Sequence, residues 1–164
     1  MHISFPFIVN YEMYLRVLVS AILGFLIGWD RESKSKPAGI KTYMYVCVAS
    51  TLITLISIYS VDEFSTMSDT IRMDPMRLTA QIVAGLGFLG GGVIIKDGVQ
   101  VKGLTSAAMI LLAGGVGIGI GAGFYGIVSF AVVISLVLAK LGNHMESRKM
   151  ARLEREMNKN EVHL

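Results

Sequence analysis

The sequence predicts an all-α membrane protein, a polytopic bundle of five transmembrane helices with its N-terminus outside and its C-terminus inside. Three observations predict it. Hydrophobic residues make up 53% of the 164 residues and charged residues 16%, against about 25% charged in an average soluble domain. A soluble fold this small exposes too much of its chain to hide so much apolar surface. The charges fall almost entirely into four clusters separated by nearly charge-free stretches, and twelve of the fifteen basic residues lie in segments on one side of the expected membrane.

The elements follow from the need for about 20 apolar residues to cross a hydrocarbon core of roughly 30 Å. Residues 3–14, with aromatics around Pro6 and Asn10, are expected at the outer interface. No basic segment precedes the first apolar run and no small-residue cleavage site follows it, so that run is expected to stay in the mature protein. The first span is expected at about 11–29, the second at 42–59 and the third at 78–95. From Gly103 to Ala139 there are 37 residues without a charge, some 55 Å of helix at about 1.5 Å per residue and too long for one crossing. A break near Gly121–Gly126 divides them into spans at about 103–121 and 122–139.

Residues 1–140 are thus expected to form the transmembrane domain, and 141–164 a cytoplasmic charged tail. In the tail Leu141, Met145, Met150, Leu153 and Met157 recur at three to five residues among charges of both signs. That pattern fits a short amphipathic helix on the inner leaflet or against a partner, or a solvated end. Orientation comes from the basic residues, which accumulate on cytoplasmic loops. Arg31, Lys34, Lys36 and Lys41 lie in the first connection, Lys96 and Lys102 in the third, and six more in the tail; the other side has Arg72 and Arg77 among four acids.

Gly85–Gly90 matches the G-x-G-x-x-G pattern of dinucleotide sites, but that fingerprint works only where a strand ends and a helix begins. Here it lies inside a helix-length apolar run, and no acid follows about 20 residues later to hold a ribose. Close helix packing is the better account, because small residues let backbones approach in lipid. Gly24 with Gly28, Gly87 with Gly91, and Gly115, Gly117, Gly119, Gly121 and Gly123 form small-xxx-small pairs. They suggest that spans one, three and four meet face to face, within one chain or across a subunit boundary. Gly90–Gly92 could instead loosen the third helix beside an ion site. Cys47, the single cysteine, is expected to be a buried small hydrophobe.

Polar groups within a membrane are costly and mark function or inter-helix bonds. Arg16 stands four residues after Glu12, the spacing of a helical ion pair. Asp30, Arg31 and Glu32 close the first span, Arg77, Thr79 and Gln81 open the third, and Lys102, Thr105 and Ser106 open the fourth. Asp30, Arg31, Glu32, Lys96 and Lys102 are expected to meet as a charged ring at the inner ends of spans one, three and four, and Arg77 and Gln81 to meet Glu12 and Arg16 toward the outside. The alternative is that each faces headgroups or solvent as an anchor.

"LGFLIGWDRESKSKPAGIKTY", "DPMRLTAQIVAGLGFLGGGVII" and "VKGLTSAAMILL" resemble, in order, motifs of the MgtC/SapB family of bacterial inner-membrane proteins, named for a magnesium-transport operon. The likeness runs from about Leu15 to Ala139. It implies a five-helix membrane domain linked to growth in low magnesium and to survival of pathogens within host cells, in proteins regarded as regulators of membrane machinery, including ATP synthase, more often than as carriers. By position, Asp30-Arg31-Glu32 stands where the family usually shows Glu-Arg-Glu. Pro37-Ala38-Gly39 fits, and Lys41-Thr42-Tyr43 stands for Arg-Thr-His, so no histidine is left to sense pH at that turn. Arg77, Gln81, Gly85, Gly87, Phe88, Leu89 and Gly90 fit the third motif. Gly103-Leu104-Thr105 and Ser106-Ala107-Ala108 fit the fourth, with serine for a common threonine, and the tryptophan often found shortly afterwards is absent. Larger members also carry a soluble C-terminal domain.

The resulting expectation is a non-enzymatic regulator of other membrane machinery, tied to magnesium limitation or stress and seated in the bacterial inner membrane. A homo-oligomer, with a dimer favoured, and another membrane complex are the expected protein partners; no nucleic acid is expected. The alternative is a cation or proton transporter, for which Asp30 and Glu32 are the candidate magnesium ligands, since magnesium is held by one or two carboxylates while keeping several waters. No cofactor is otherwise expected. Catalysis is not expected either, because His2, His144 and His163 lie scattered at the two ends and no nucleophile–base spacing occurs.

Overall fold

Among the described residues five helices are long and apolar enough to cross a membrane: α1 (Tyr11–Glu32), α2 (Ile40–Ser65), α3 (Met76–Val93), α4 (Leu104–Gly121) and α5 (Tyr125–Glu161). The computed structural model describes residues 11–33, 36–65, 74 and 76–161. Residues 3–10, Lys34, Asp69 and Arg72, on which parts of the interface and loop reading rest, lie outside the described residues. The chain divides into two compact units, Met1–Val128 and Ser129–Leu164.

Each span differs by a few residues from its expected bounds, and two of the differences have a local cause. The third helix ends at Val93 rather than 95, because the next residues form a hairpin of β1 (Ile95–Asp97) and β2 (Gln100–Lys102), antiparallel with Ile95 opposite Lys102. The expected all-α bundle stands, with this short ribbon as an addition between α3 and α4. Gly98 has φ +60, the sign that the tight two-residue hairpin turns require at their first central position. The fifth helix begins at Tyr125 rather than 122. Gly123 takes φ +84, a conformation open to a residue without Cβ, and the break falls inside the expected Gly121–Gly126 stretch. From Tyr125 onward the helix runs without interruption to Glu161, so the last span and the charged tail form one helix. No proline follows Pro75 in the chain to break it.

Within the first unit α4 is central and packs on α1, α2 and α3. It buries Ser106, Met109, Ile110, Ala113, Gly114, Val116, Gly117, Ile120 and Gly121, while large apolar side chains such as Trp29, Tyr45 and Phe88 face outward. Small residues set the crossing distance. A Cβ at Gly117 would collide with the Cys47 carbonyl, and one at Gly121 would come within 2.8 Å of the Thr54 Cβ.

The glycine faces do not meet one another as expected. Gly24 and Gly28 pack on α2, against Tyr43, Met44 and Ile40, and α2 has no glycine. Gly90 touches Ala107 of α4, and Gly119 faces the Val128 side chain. Gly85, Gly87, Gly91 and Gly115 have nothing within 4 Å of where a Cβ would stand. The physical reason is directional: α3 buries the stripe Thr79, Ile82, Leu86 and Gly90, and with 3.6 residues per turn Gly87 and Gly91 point away from it.

Candidate functional site

Polar side chains form a continuous seam through the interior of the first unit, with an arginine near each end. The seam lies mainly on α2. Tyr43, Cys47, Ser50, Thr51, Thr54 and Ser57 are all buried, at helical spacings of three and four that bring them to one face. Cys47 Sγ donates to the Ala113 carbonyl at 3.2 Å, and Thr51 Oγ1 donates to the Gly117 carbonyl at 2.8 Å. Ser20 of α1, fully buried, donates to its own helix at the Val17 carbonyl, 2.8 Å away. Hydroxyls suit such positions because they can satisfy themselves on carbonyls inside lipid, where no water is available.

At one end Arg16 ties α1 to the exit of α4. Its Nη1 donates to the Gly121 carbonyl and its Nη2 to Glu12 Oε1, each at 2.6 Å. The guanidinium also stands over the Tyr125 ring, 5.9 Å from its centroid. A cation is favoured there, since the last carbonyls of a helix are unsatisfied and carry its negative pole. The Glu12–Arg16 pair is thus formed. Arg77 and Gln81 do not join it: Arg77 is exposed on α3, and Gln81, also exposed, lines an open groove between α2 and α3 beside Val46 and Ser50.

At the other end the closing turn of α1 meets the opening turns of α2 and α4. Arg31, Tyr43 and Ser106 are buried there to 2% exposure or less. The Tyr43 hydroxyl lies in electrostatic reach of the Arg31 guanidinium and the Ser106 hydroxyl. Glu32 turns elsewhere, its Oε2 accepting the Ile40 N–H at 2.7 Å and so capping α2. Gly39 makes room for that cap, since a Cβ on it would lie 2.5 Å from Oε2. Asp30 is partly buried, while Lys41, Thr42, Lys96 and Thr105 are exposed. Lys102 donates to Asp97 Oδ2 across the hairpin at 2.9 Å.

The expected charged ring is therefore replaced by a narrower grouping. Arg31 and Ser106 come together with Tyr43, Glu32 becomes a helix cap, and Lys102 is held by an acid of its own hairpin. Among the described residues no three side chains of metal-binding type gather. Sequence reasoning missed Ser50, Thr51, Thr54 and Ser57. The signal was present: Tyr43 and the small residues Cys47, Ser50, Thr54 and Ser57 mark one stripe of an otherwise apolar helix.

A family model described as the MgtC family matches residues 17–148. Protein SapB of Bacillus subtilis is 43% identical over 115 residues, 70% of this chain and 49% of its own length. Protein MgtC of Salmonella typhimurium is 34% identical over 134 residues, 82% of this chain and 51% of its own. YhiD of Escherichia coli is 31% identical over 139 residues, 85% of this chain and 64% of its own. The chain thus spans roughly half to two thirds of these relatives. No solved structure matches it.

Proposed function

The chain belongs to the MgtC family and is a multi-pass protein of the bacterial inner membrane; from that premise we propose that it is a non-enzymatic regulator, acting through helix contacts on other membrane machinery under magnesium limitation or stress. The observation that carries this reading is the use made of the polar side chains within the bundle. Thr51, Cys47 and Arg16 bond carbonyls of α4, and Glu32, one of the two acids a magnesium site would need, caps α2. These groups hold helices together, which supports a contact-making protein over a carrier that must bind and release an ion.

The basic residues of the α1–α2 connection, the hairpin and the tail support a cytoplasmic position for those segments, under the charge bias of membrane loops. A second copy of the chain is the occupant proposed for the outward face of α3, where Gly87 and Gly91 are bare. Bare backbones that can approach closely are what draw membrane helices together, and a two-fold axis would set Gly87 and Gly91 of the two copies against each other.

The test is purification of the chain with crosslinking from cells grown at low and at high magnesium. Capture of one membrane complex, enriched at low magnesium, is the expected result. Magnesium flux into proteoliposomes holding this chain alone would replace the regulatory reading with transport.

A further inference from the structure

We propose that Arg31, Tyr43 and Ser106, with the first turn of α4, form a binding site for a phosphate-type oxyanion. Arg31 is 2% exposed, Tyr43 is fully buried and Ser106 is 1% exposed. Among the described residues neither Arg31 Nε nor the Tyr43 hydroxyl has a hydrogen-bond partner. The ion pairs Arg16–Glu12 and Lys102–Asp97 both lie elsewhere, and Glu32 is occupied by the start of α2. A guanidinium withdrawn from water costs several kcal/mol unless it is paired and hydrogen-bonded. Across the helix contacts it meets the neutral Tyr43 hydroxyl, which in turn meets that of Ser106, and the partly buried Asp30 precedes it in the chain.

The start of α4 adds charge of the same sign. Its first four N–H groups have no intrahelical acceptor and carry the positive pole of the helix. Gly103 at the cap has φ +91 and provides no side-chain hydrogen bond, and no acid stands in the first turn. A capping side chain could not be placed there, because a Cβ on Gly103 would collide with the Val93 carbonyl. Ser106, in that first turn, is the residue through which the helix start meets Tyr43.

An anion answers all of these groups at once. The guanidinium fork matches phosphate oxygens, hydroxyls donate singly, and a helix N-terminus presents amides to the same ligand. The exposed Lys41 and Lys96 raise the local concentration of anions at this end of the bundle. The end of a membrane-crossing helix is also the depth of lipid headgroups. The shared chemistry is a phosphate oxyanion, either free inorganic phosphate or the headgroup of an anionic phospholipid. The site stands whether or not the chain acts as a regulator.

The test uses the full chain in neutral detergent and in nanodiscs of neutral lipid. Inorganic phosphate is titrated against matched chloride and read by phosphorus NMR line width and thermal midpoint. In a second arm, nanodiscs with and without phosphatidylglycerol are compared, and retained lipids are counted by native mass spectrometry. Binding of either probe to the unaltered chain is expected, weakened about two- to tenfold by Tyr43→Phe or Ser106→Ala and at least about tenfold by Arg31→Gln. Lys140→Gln, an exposed cation outside the cluster, should leave it unchanged. A response to phosphate assigns the free anion, and a response to phosphatidylglycerol alone assigns the headgroup. No binding of either probe overturns the proposal. So does binding indifferent to Tyr43→Phe and Ser106→Ala, the variants that decide if Arg31→Gln does not fold, or binding lost equally in Lys140→Gln.

Discussion

The Thr51 hydroxyl donates to the Gly117 carbonyl at 2.8 Å in the middle of the α2–α4 crossing. The residue that accepts this bond is also the one whose missing side chain permits it: a Cβ at Gly117 would lie 2.7 Å from the Ser50 Cβ and would collide with the Cys47 carbonyl. Thr51→Val keeps the shape and removes the donor, so it should cost about 0.6 kcal/mol, up to roughly 1.7, the range for hydrogen bonds between membrane helices. Gly117→Leu forces the backbones apart and should cost at least about 1–3 kcal/mol, as overpacking does. Denaturant unfolding in mild detergent measures both. Equal losses would mean that the close approach has no special weight.

The Glu32 cap yields a second expectation. Glu32→Gln retains an amide oxygen able to accept the Ile40 N–H, whereas Glu32→Ala loses the cap, at a cost of about 1 kcal/mol typical of helix N-caps. Gly39→Ala should also displace the cap, since the added Cβ meets Oε2. The two losses should be less than additive, because both remove one interaction. Thermal midpoints of the single and double variants give the coupling. If Glu32→Gln behaves like Glu32→Ala, the carboxylate charge matters and the carrier reading regains ground.

At the opposite end, Arg16→Met should cost about 1.5–3 kcal/mol, because the bond to the Gly121 carbonyl has a charged donor and lies at a helix C-terminus. Glu12→Gln should cost less than Arg16→Met, since Glu12 is half exposed and exposed ion pairs contribute little. A double-mutant cycle in nanodiscs separates the two. A larger loss for Glu12→Gln than for Arg16→Met would contradict the assignment of Arg16 to α4.

The spans were legible because charge-free length is a direct consequence of hydrocarbon thickness, and the Glu12–Arg16 pair because it is local in sequence. The hairpin was not read, although Asp97-Gly98 between alternating residues is a turn signal; four exposed charged or polar side chains among its six strand residues made it look like a loop. The buried stripe of α2 escaped for a different reason. Serine, threonine and cysteine barely lower hydropathy, so the face that bonds α4 is nearly invisible in an apolar average. Glycine identity was visible, but which glycine meets a neighbour depends on helix rotation. Gly117 and Gly121 meet α2 while Gly115 meets nothing.

The exposed tip of the hairpin tests orientation. Val99 is fully exposed, and Cys47 is the only cysteine, buried and bonded to Ala113. A Val99→Cys variant with Cys47→Ala therefore presents one reactive thiol. A membrane-impermeant maleimide should label it in inside-out vesicles and leave it unlabelled in intact spheroplasts. The reverse pattern would invert every assignment of inside and outside made from the basic residues.

The bare face of α3 gives the sharpest separation between folding and assembly. Nothing lies within 4 Å of a Cβ built at Gly87 or Gly91, so Gly87→Leu should not lower the unfolding free energy of the monomer by more than about 0.5 kcal/mol, the usual range for surface changes away from special features. In a dimer held through this face the same substitution separates the backbones and should abolish association, because membrane helices attract chiefly through close packing. Gln81→Leu, in the groove between α2 and α3 and off the glycine face, should leave association unchanged. Gly91→Cys with Cys47→Ala should form a disulfide-linked dimer under mild oxidation, since only a two-fold contact brings two copies of one position together. Energy-transfer measurements in nanodiscs, with Gly142→Leu as a glycine control that likewise has open space around it, read the association. Dimers that persist in Gly87→Leu would move the contact to another face.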